Sequence, residues 1–269
     1  MSNKHLIALD LDGTLLRDDK TISPKTKQVL KQIQDEGHIV MIATGRPFRS
    51  SGMYYKELNL SSPIVNFNGA FIHHPLDEKF GSYHEPLDLE VVKQIVDTCF
   101  DLSFYNILAE VLDQMYLHYH DEKLLDVFRL GAQSITTGDL RKFLKSNPTS
   151  LLIHAEETNL VSIREALQNQ HAELIEQRSW GAPFPVLEII KKGINKAIGV
   201  KKVADYYNIP YERVIAFGDE DNDLEMLSFA KYGVAMGNGI DSVKEIARDV
   251  TLSNEEDGVA VYLEKLLLS

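Results

Sequence analysis

Cysteine is nearly absent from the 269 residues: Cys99 is the only one, so no intrachain disulfide can form. Cys99 sits in the apolar-periodic stretch EVVKQIVDTCF and reads as a small buried hydrophobe. Long apolar runs are missing too, and the N-terminal MSNKHLIALD meets charge too early for a signal peptide. The chain therefore reads as cytoplasmic, with no membrane partner. Positive charge is scarce, 28 Lys and Arg against 40 Asp and Glu, for a net charge of -12. That balance repels nucleic acid and anionic membranes, and a small anionic ligand would need local cations. There is no G-x-x-x-x-G-K-[ST] phosphate loop, and GNGIDS at 237–242 lacks the last glycine of a dinucleotide fingerprint. Internal repeats and low-complexity tracts are also absent.

What remains is an ordinary globular composition, 44% hydrophobic and 25% charged, in a chain long enough for one large or two smaller domains. HLIAL is a short apolar strand that ends in Asp10, Asp12 and Gly13. TISPKTKQVLKQIQDEG predicts a helix with Ser23 as N-cap, Pro24 in the first turn, Gly37 at the stop, and Val29, Leu30 and Ile33 on its apolar face. HIVMIATGR predicts a strand over 38–44 that runs into Thr44, Gly45 and Arg46. A helix through Tyr54 and Leu58 leads to a third strand in SPIVNFNG, and strands linked by helices imply a parallel sheet with right-handed crossovers.

The same alternation returns after residue 195, with strands expected at 213–219, 232–236 and 249–252. Between the two parts the texture changes. NILAEVLDQMYLHYH predicts a hairpin, followed by helix, strand, helix and strand through LLIHAEE and AELIEQR. Pro86 on one side and Pro183, Pro185 and Gly193 on the other mark the expected crossings. The expectation is an α/β, Rossmann-like parallel sheet core with helices on both faces, built from 1–83 and 191–269, carrying an α+β insert over 84–190.

In such a sheet, ligands bind beyond the carboxyl ends of the strands. The polar residues at those ends are Asp10 with Asp12, Thr44, and Asp219 of GDEDND. An Asp-x-Asp-Gly fragment alone reads equally well as a strand turning into a loop, and Asn222 and Asp223 alone read as helix caps. Capping does not account for Asp219 reaching the same rim as Asp10 and Asp12. Carboxylates packed within a few ångströms repel by about 4 kcal/mol per pair at an effective dielectric near 20, so the cluster calls for a cation. All-oxygen ligands favour Mg²⁺, which would recruit phosphate, with Thr44 and the N–H groups of the TGR turn as a cradle. A solvated basic face accounts for most of Lys191, Lys192, Lys196, Lys201 and Lys202. Lys196 stands apart, because it follows the N-cap candidate Asn195 at a helix entry.

DLDGTLL, ATGR, NKA and GDEDND, in this order and at these separations, resemble the four motifs of the haloacid dehalogenase superfamily of phosphatases. NFNGAFI, EEDGVA and the long insert resemble its Cof-type branch, in which a large α/β cap domain is inserted. The resemblance implies Asp10 as nucleophile through an aspartyl-phosphate. It implies Asp12 as acid and then base, with neighbouring carboxylates raising its pKa. Mg²⁺ would be held by Asp10, the backbone carbonyl of Asp12 and Asp219. Thr44, Gly45, Lys196, Asn222 and the N–H of Leu11 would hold phosphoryl oxygens, Asp223 would orient Lys196 or a metal-bound water, and Arg46 would be structural or functional. Ala197 stands where many relatives have glycine.

The resulting expectation is a Mg²⁺-dependent phosphatase of small phosphorylated metabolites such as sugar phosphates, acting as a monomer or small homo-oligomer. Two alternatives are a phosphomutase on the same core and a metabolite-binding regulatory protein with little turnover. His118 and His120 alternate along the expected insert strand, but no third ligand accompanies them, so zinc is disfavoured there and at His73–His74. Trp180, Phe184 and Tyr105 read as insert core, with the loop from Trp180 to Phe184 as a weaker candidate for substrate contact.

Overall fold

A computed structural model describes residues 4–180 and 185–268, the side chain of Trp180 excepted. The first apolar stretch is β1 (Leu6–Leu9), all four residues fully buried. After a turn, α1 (Pro24–Asp35) starts on the Ser23 side chain, which accepts from the Thr26 N–H, and buries Val29, Leu30 and Ile33. The chain leaves the helix at Gly37, where φ is 88°. Then β2 (Ile39–Ile42) pairs parallel with β1, and α2 (Phe48–Glu57) follows.

The third strand departs from expectation. β3 (Ile64–Asn66) pairs antiparallel with β4 (Phe71–His73), and with β5 (Ser82–His84) they form a separate three-stranded sheet. β3 meets the main sheet through one parallel bridge, Ala43 to Val65, where the Thr44 N–H donates to the Val65 carbonyl at 2.9 Å. The cause is the reversal directly after it: Phe67, Asn68 and Gly69 are all left-handed, with φ of 50°, 54° and 105°, so the chain doubles back instead of crossing over.

The insert runs α3 (Leu89–Leu102), β6 (Asn106–Val111), β7 (Gln114–Leu117), α4 (Glu122–Phe128), β8 (Ser134–Thr137), α5 (Leu140–Phe143), β9 (Ser150–His154), α6 (Glu157–His171), β10 (Ile175–Trp180) and β11 (Val186–Lys191). Its six-stranded sheet has the order β10-β11-β9-β6-β7-β8, antiparallel except for β7 and β8. Val92, Ile95, Cys99, Ile163 and Leu167 from α3 and α6 cover one face. Pro185, read as part of a crossing, directly precedes β11, a strand with partners on both edges, so the chain leaves the insert only after it. The other two crossing or contact candidates, Pro183 and Phe184, lie outside the described residues.

The return brings α7 (Lys196–Tyr206), β12 (Val214–Gly218), α8 (Leu224–Phe229), β13 (Tyr232–Ala235), α9 (Asp241–Ile246), β14 (Asp249–Val250) and α10 (Gly258–Leu267). The main sheet is parallel with order β14-β13-β12-β1-β2. Alternate side chains of β1 and β12 face opposite layers. Leu6, Ala8, Val214 and Ala216 pack with Val200, Val203 and Met226, and on the other side the Phe217 ring meets Tyr262 of α10 at 5.6 Å. Each fully buried Leu, Val, Met or Phe side chain among these stabilises the fold by about 1.5–3 kcal/mol.

Two compact units result: Met1–Arg46, Ser51–Tyr83 and Asn195–Ser269 form one, and Pro47–Ser50 with His84–Ile194 the other. The short piece belongs with the insert through Arg49. Its buried guanidinium pairs with the buried Glu110 carboxylate, which also accepts from Ser150 Oγ at 2.8 Å, while the Arg49 N–H donates to Asp113 at 2.9 Å. No helix among the described residues is long and apolar enough to cross a membrane.

Cys99 has no exposed surface, and burial pushes its thiol up to about 12. Alkylation with iodoacetamide near neutral pH should therefore leave the native protein unlabelled and modify it only after unfolding, as read by mass spectrometry.

Candidate active site

The strand order places the topological switch point between β1 and β12: the chain proceeds from β1 outward to β2, and from β12 outward to β13 and β14. Asp10 and Asp219 are the first residues past the carboxyl ends of those two strands. Asp10 is pinned by its own N–H, which donates to the Phe217 carbonyl at 3.2 Å. At Asp219 the carbonyl accepts from the Ile240 N–H at 3.0 Å.

Lys196 opens α7, with Asn195 as the N-cap whose side chain accepts from the Ile198 N–H. Its ammonium is completely buried and donates to Asp10 Oδ1 and to Asp223 Oδ1, each at 2.7 Å. Burial alone would lower the Lys196 pKa, but Asp10 and Asp223 outweigh it and hold it above the ordinary lysine value. The other Asp223 oxygen accepts from the backbone N–H of Asp219 at 2.9 Å and of Glu220 at 3.2 Å. Asp223 is thus saturated by protein donors and works as an anchor for Lys196 and for the loop that carries Asp219.

Asp10, Asp219 and Asp223 form the one group of three candidate metal ligands among the described residues, with an oxygen from each within 4.8 Å of the others. Burial, then the nearby Asp223, pushes Asp219 up to about 7. Burial also leads at Asp10, with Asp223 and Asp219 adding to it, and the net shift is well upward despite Lys196. Three buried carboxylates against one ammonium leave the cluster short of positive charge. An all-oxygen donor set of this kind fits a hard divalent cation.

Gly13 and Thr14 shape the same spot. Gly13 has φ of 73°, and a Cβ there would lie 2.1 Å from Asp219 Oδ2, so glycine keeps that oxygen uncovered. Thr14 Oγ1 donates to Asp219 Oδ1 at 2.8 Å, and the Asn238 amide donates to the Gly13 carbonyl at 2.8 Å. Thr14, two residues after Asp12, was not singled out from the sequence, and Asn238 carries no local signal.

Asp12 overturns one expectation. Its carboxylate does not join the cluster but lies in the Arg46 fork, with Nε and Nη2 at 2.6 Å from separate oxygens, and takes Lys20 Nζ at 2.8 Å. Burial would raise its pKa, but Arg46 and Lys20 outweigh burial and bring it down to about 2. The expected rise from neighbouring carboxylates is not found: burial is what opposes these two cations, and the approach of Arg46 across 34 residues of chain is invisible in the sequence. Leu11 buries its side chain, and its carbonyl accepts from the Thr14 and Leu16 N–H groups at 3.3 and 2.8 Å.

Thr44 is buried, and its Oγ1 accepts from the Arg46 N–H at 3.1 Å, which closes the turn around Gly45. Asn222 is half-buried and donates through Nδ2 to Asn68 Oδ1 at 3.0 Å. The residues singled out for the core site thus come from the ends of β1, β2 and β12 and from the start of α7. In the insert, the ring of His118 is buried against Phe100, Phe104 and Tyr119 with Nδ1 accepting from the Leu140 N–H, and His120 is exposed beside Glu122, so the two do not share a ligand. His73 stacks on Phe71. Tyr105, read as insert core, is instead exposed directly before β6, where its hydroxyl bonds to Glu156.

A family model described as haloacid dehalogenase-like hydrolase matches residues 7–263. The chain is 58% identical over 261 residues to the 5-amino-6-(5-phospho-D-ribitylamino)uracil phosphatase YitU of Bacillus subtilis, covering 97% of each. A putative phosphatase of Metamycoplasma hominis is 32% identical, with 96% of this chain and 95% of that one covered. Among solved structures, a haloacid dehalogenase-like hydrolase of Bacteroides thetaiotaomicron superposes with a TM-score of 0.83 at 28% identity, over 98% of this chain and 100% of that one.

A cation held by Asp219 would compete with its proton. Titrating metal-free protein with Mg²⁺ by calorimetry should show proton release, with affinity falling about tenfold per pH unit below about 7. Equal affinity at about pH 5 and about pH 8 would show that Asp219 is not a ligand.

Proposed function

The chain belongs to the haloacid dehalogenase-like hydrolases and is a phosphatase, and we propose that it uses Mg²⁺ to hydrolyse a small phosphorylated metabolite through a phosphoryl group carried on Asp10. The observation that carries this reading is the buried Lys196 ammonium, fixed between Asp10 and Asp223 with Asp219 alongside. One Asp10 oxygen is held by Lys196, which leaves Oδ2 to attack.

Asp10 Oδ2 bonds to phosphorus as the ester oxygen leaves, and Asp12 supplies the proton that makes the leaving group an alcohol. Water then bonds to phosphorus, Asp12 takes back a proton, and the bond to Asp10 breaks, so monoester and water give alcohol and inorganic phosphate. Asp12 paired with Arg46 and Lys20 is ionised and ready for the second half; to donate a proton in the first half it must leave the Arg46 fork. Lys196, Thr44, the Gly45 N–H and Asn222 hold phosphoryl oxygens, Leu11 contributes its N–H, and Asp223 acts through Lys196.

Asp10, Asp219 and the Asp12 backbone carbonyl would hold Mg²⁺, which when bound screens the repulsion between Asp10 and an anionic phosphate. Removing Lys196 would leave two buried carboxylates without their counter-ion, a loss on the order of 3–5 kcal/mol in stability besides any loss of activity.

For the substrate, the reading is the one carried by the name of the 58% identical relative, 5-amino-6-(5-phospho-D-ribitylamino)uracil. Phosphate release should be measured on that compound, on sugar phosphates, nucleotides and an aryl phosphate, and ranked by kcat/KM. The expected result is the ribitylamino compound at least about tenfold ahead, a margin of about 1.4 kcal/mol in transition-state binding. Chelation and Asp10→Asn should each abolish turnover, and full activity in Asp10→Asn would remove it as nucleophile. Asp12→Asn should lower kcat by about 10²–10⁴.

A further inference from the structure

The hairpin turn that follows β3 reverses the chain at a conformational cost. Phe67 and Asn68 are consecutive non-glycine residues in the left-handed region, both almost fully buried. Strain of this kind collects where a backbone has to deliver groups to a site. Here it delivers them to the Thr44–Arg46 turn. The Asn68 N–H donates to the Thr44 carbonyl at 3.1 Å, the Phe67 N–H to the Arg46 carbonyl at 3.4 Å, and the Asn66 amide to the same Arg46 carbonyl at 2.8 Å. In a trans peptide the N–H points opposite to the carbonyl. Drawing the Thr44 carbonyl toward Asn68 therefore turns the Gly45 N–H away from the 66–69 loop.

The Asn68 side chain goes further. Both its amide nitrogen and its amide oxygen would lie 3.2 Å from a Cβ at position 45, so it packs directly on Gly45. Its Oδ1 accepts from Asn222 Nδ2 at 3.0 Å. A carboxamide has two N–H donors on one end and an acceptor oxygen on the other, and only the donor end attracts phosphate. An acceptor that holds the NH₂ end of Asn222 next to Gly45 settles which end it presents.

We propose that Asn68 is the positioning residue of the phosphate cradle, fixing the Asn222 amide with its donor end toward the phosphoryl group and setting the Gly45 turn from behind. It acts on substrate only through Asn222 and Gly45, and this rests on the reading of Asn222 as a phosphate ligand. A phosphomonoester and free phosphate present the same oxygens, so both should register the effect.

The test is a double-mutant cycle on Mg²⁺-loaded protein, reading inorganic phosphate affinity by calorimetry and KM and kcat on an aryl phosphate. Glycine keeps the left-handed backbone and removes the amide; aspartate keeps an acceptor oxygen at the same place. Asn68→Gly should weaken phosphate binding and raise KM by about tenfold while kcat changes less, with the melting temperature within about 2–4 °C of the parent. Asn222→Ala should cost a similar factor in the parent and in Asn68→Asp, but less than about twofold in Asn68→Gly, because the orientation it depends on is already lost. Equal cost of Asn222→Ala in all three backgrounds overturns the proposal, as does parent-like phosphate binding in Asn68→Gly or no phosphate binding by the parent. Turnover failing while the calorimetric cycle holds would instead overturn the hydrolysis reading and leave Asn68 in its role.

Discussion

A fully buried ammonium cannot exist alone, and the arrangement of this protein's core site follows from how Lys196 is neutralised. Its two partners come from opposite ends of the chain's core, Asp10 after β1 and Asp223 after β12, and each sits at 2.7 Å. Asp223 in turn uses its remaining oxygen to hold the Asp219 and Glu220 N–H groups, so one ion-pair network joins the first strand, the helix that re-enters from the insert and the loop that carries the third carboxylate. Low dielectric makes these contacts strong and makes their loss expensive.

The same network leaves a deficit of positive charge. Lys196 pairs with Asp10 and Asp223 but does not offset burial and the other carboxylates at Asp10, whose pKa stays well raised, and Asp219 is pushed up to about 7. Gly13 and Thr14 keep one Asp219 oxygen uncovered and the other anchored. A hard cation would relieve this, and in the proposed reaction it would also make the rim attractive to phosphate. Asp12 stands outside the deficit, neutralised by Arg46 and Lys20, and that separation gives two carboxylates two residues apart opposite electrostatic surroundings.

Around the carboxylates lies a layer of amides that shapes backbone. Asn68 supports the Gly45 turn and Asn222, Asn66 holds the Arg46 carbonyl, and Asn238 holds the Gly13 carbonyl. Neutral amides can do this beside a carboxylate cluster because they orient peptide groups without adding to its negative charge.

Local pattern by itself determined a good deal of this protein. The Ser23 cap, the Gly37 stop, the buried strand LIAL and the helix entry at Asn195–Lys196 are written in residues within four or five positions of one another, because capping and periodicity are local physics. That Asp10 and Asp219 share a rim was legible because strand ends in a parallel sheet converge there, and Lys196 stood out by its place after the N-cap Asn195. Only the tertiary structure decided which cation meets which carboxylate. Arg46 rather than the other aspartates governs Asp12, β3 turns back instead of joining the sheet, and Asn68 reaches Asn222 across 154 residues. Those outcomes depend on distances between segments remote in sequence, and electrostatic strength changes steeply over a few ångströms that no spacing along the chain records.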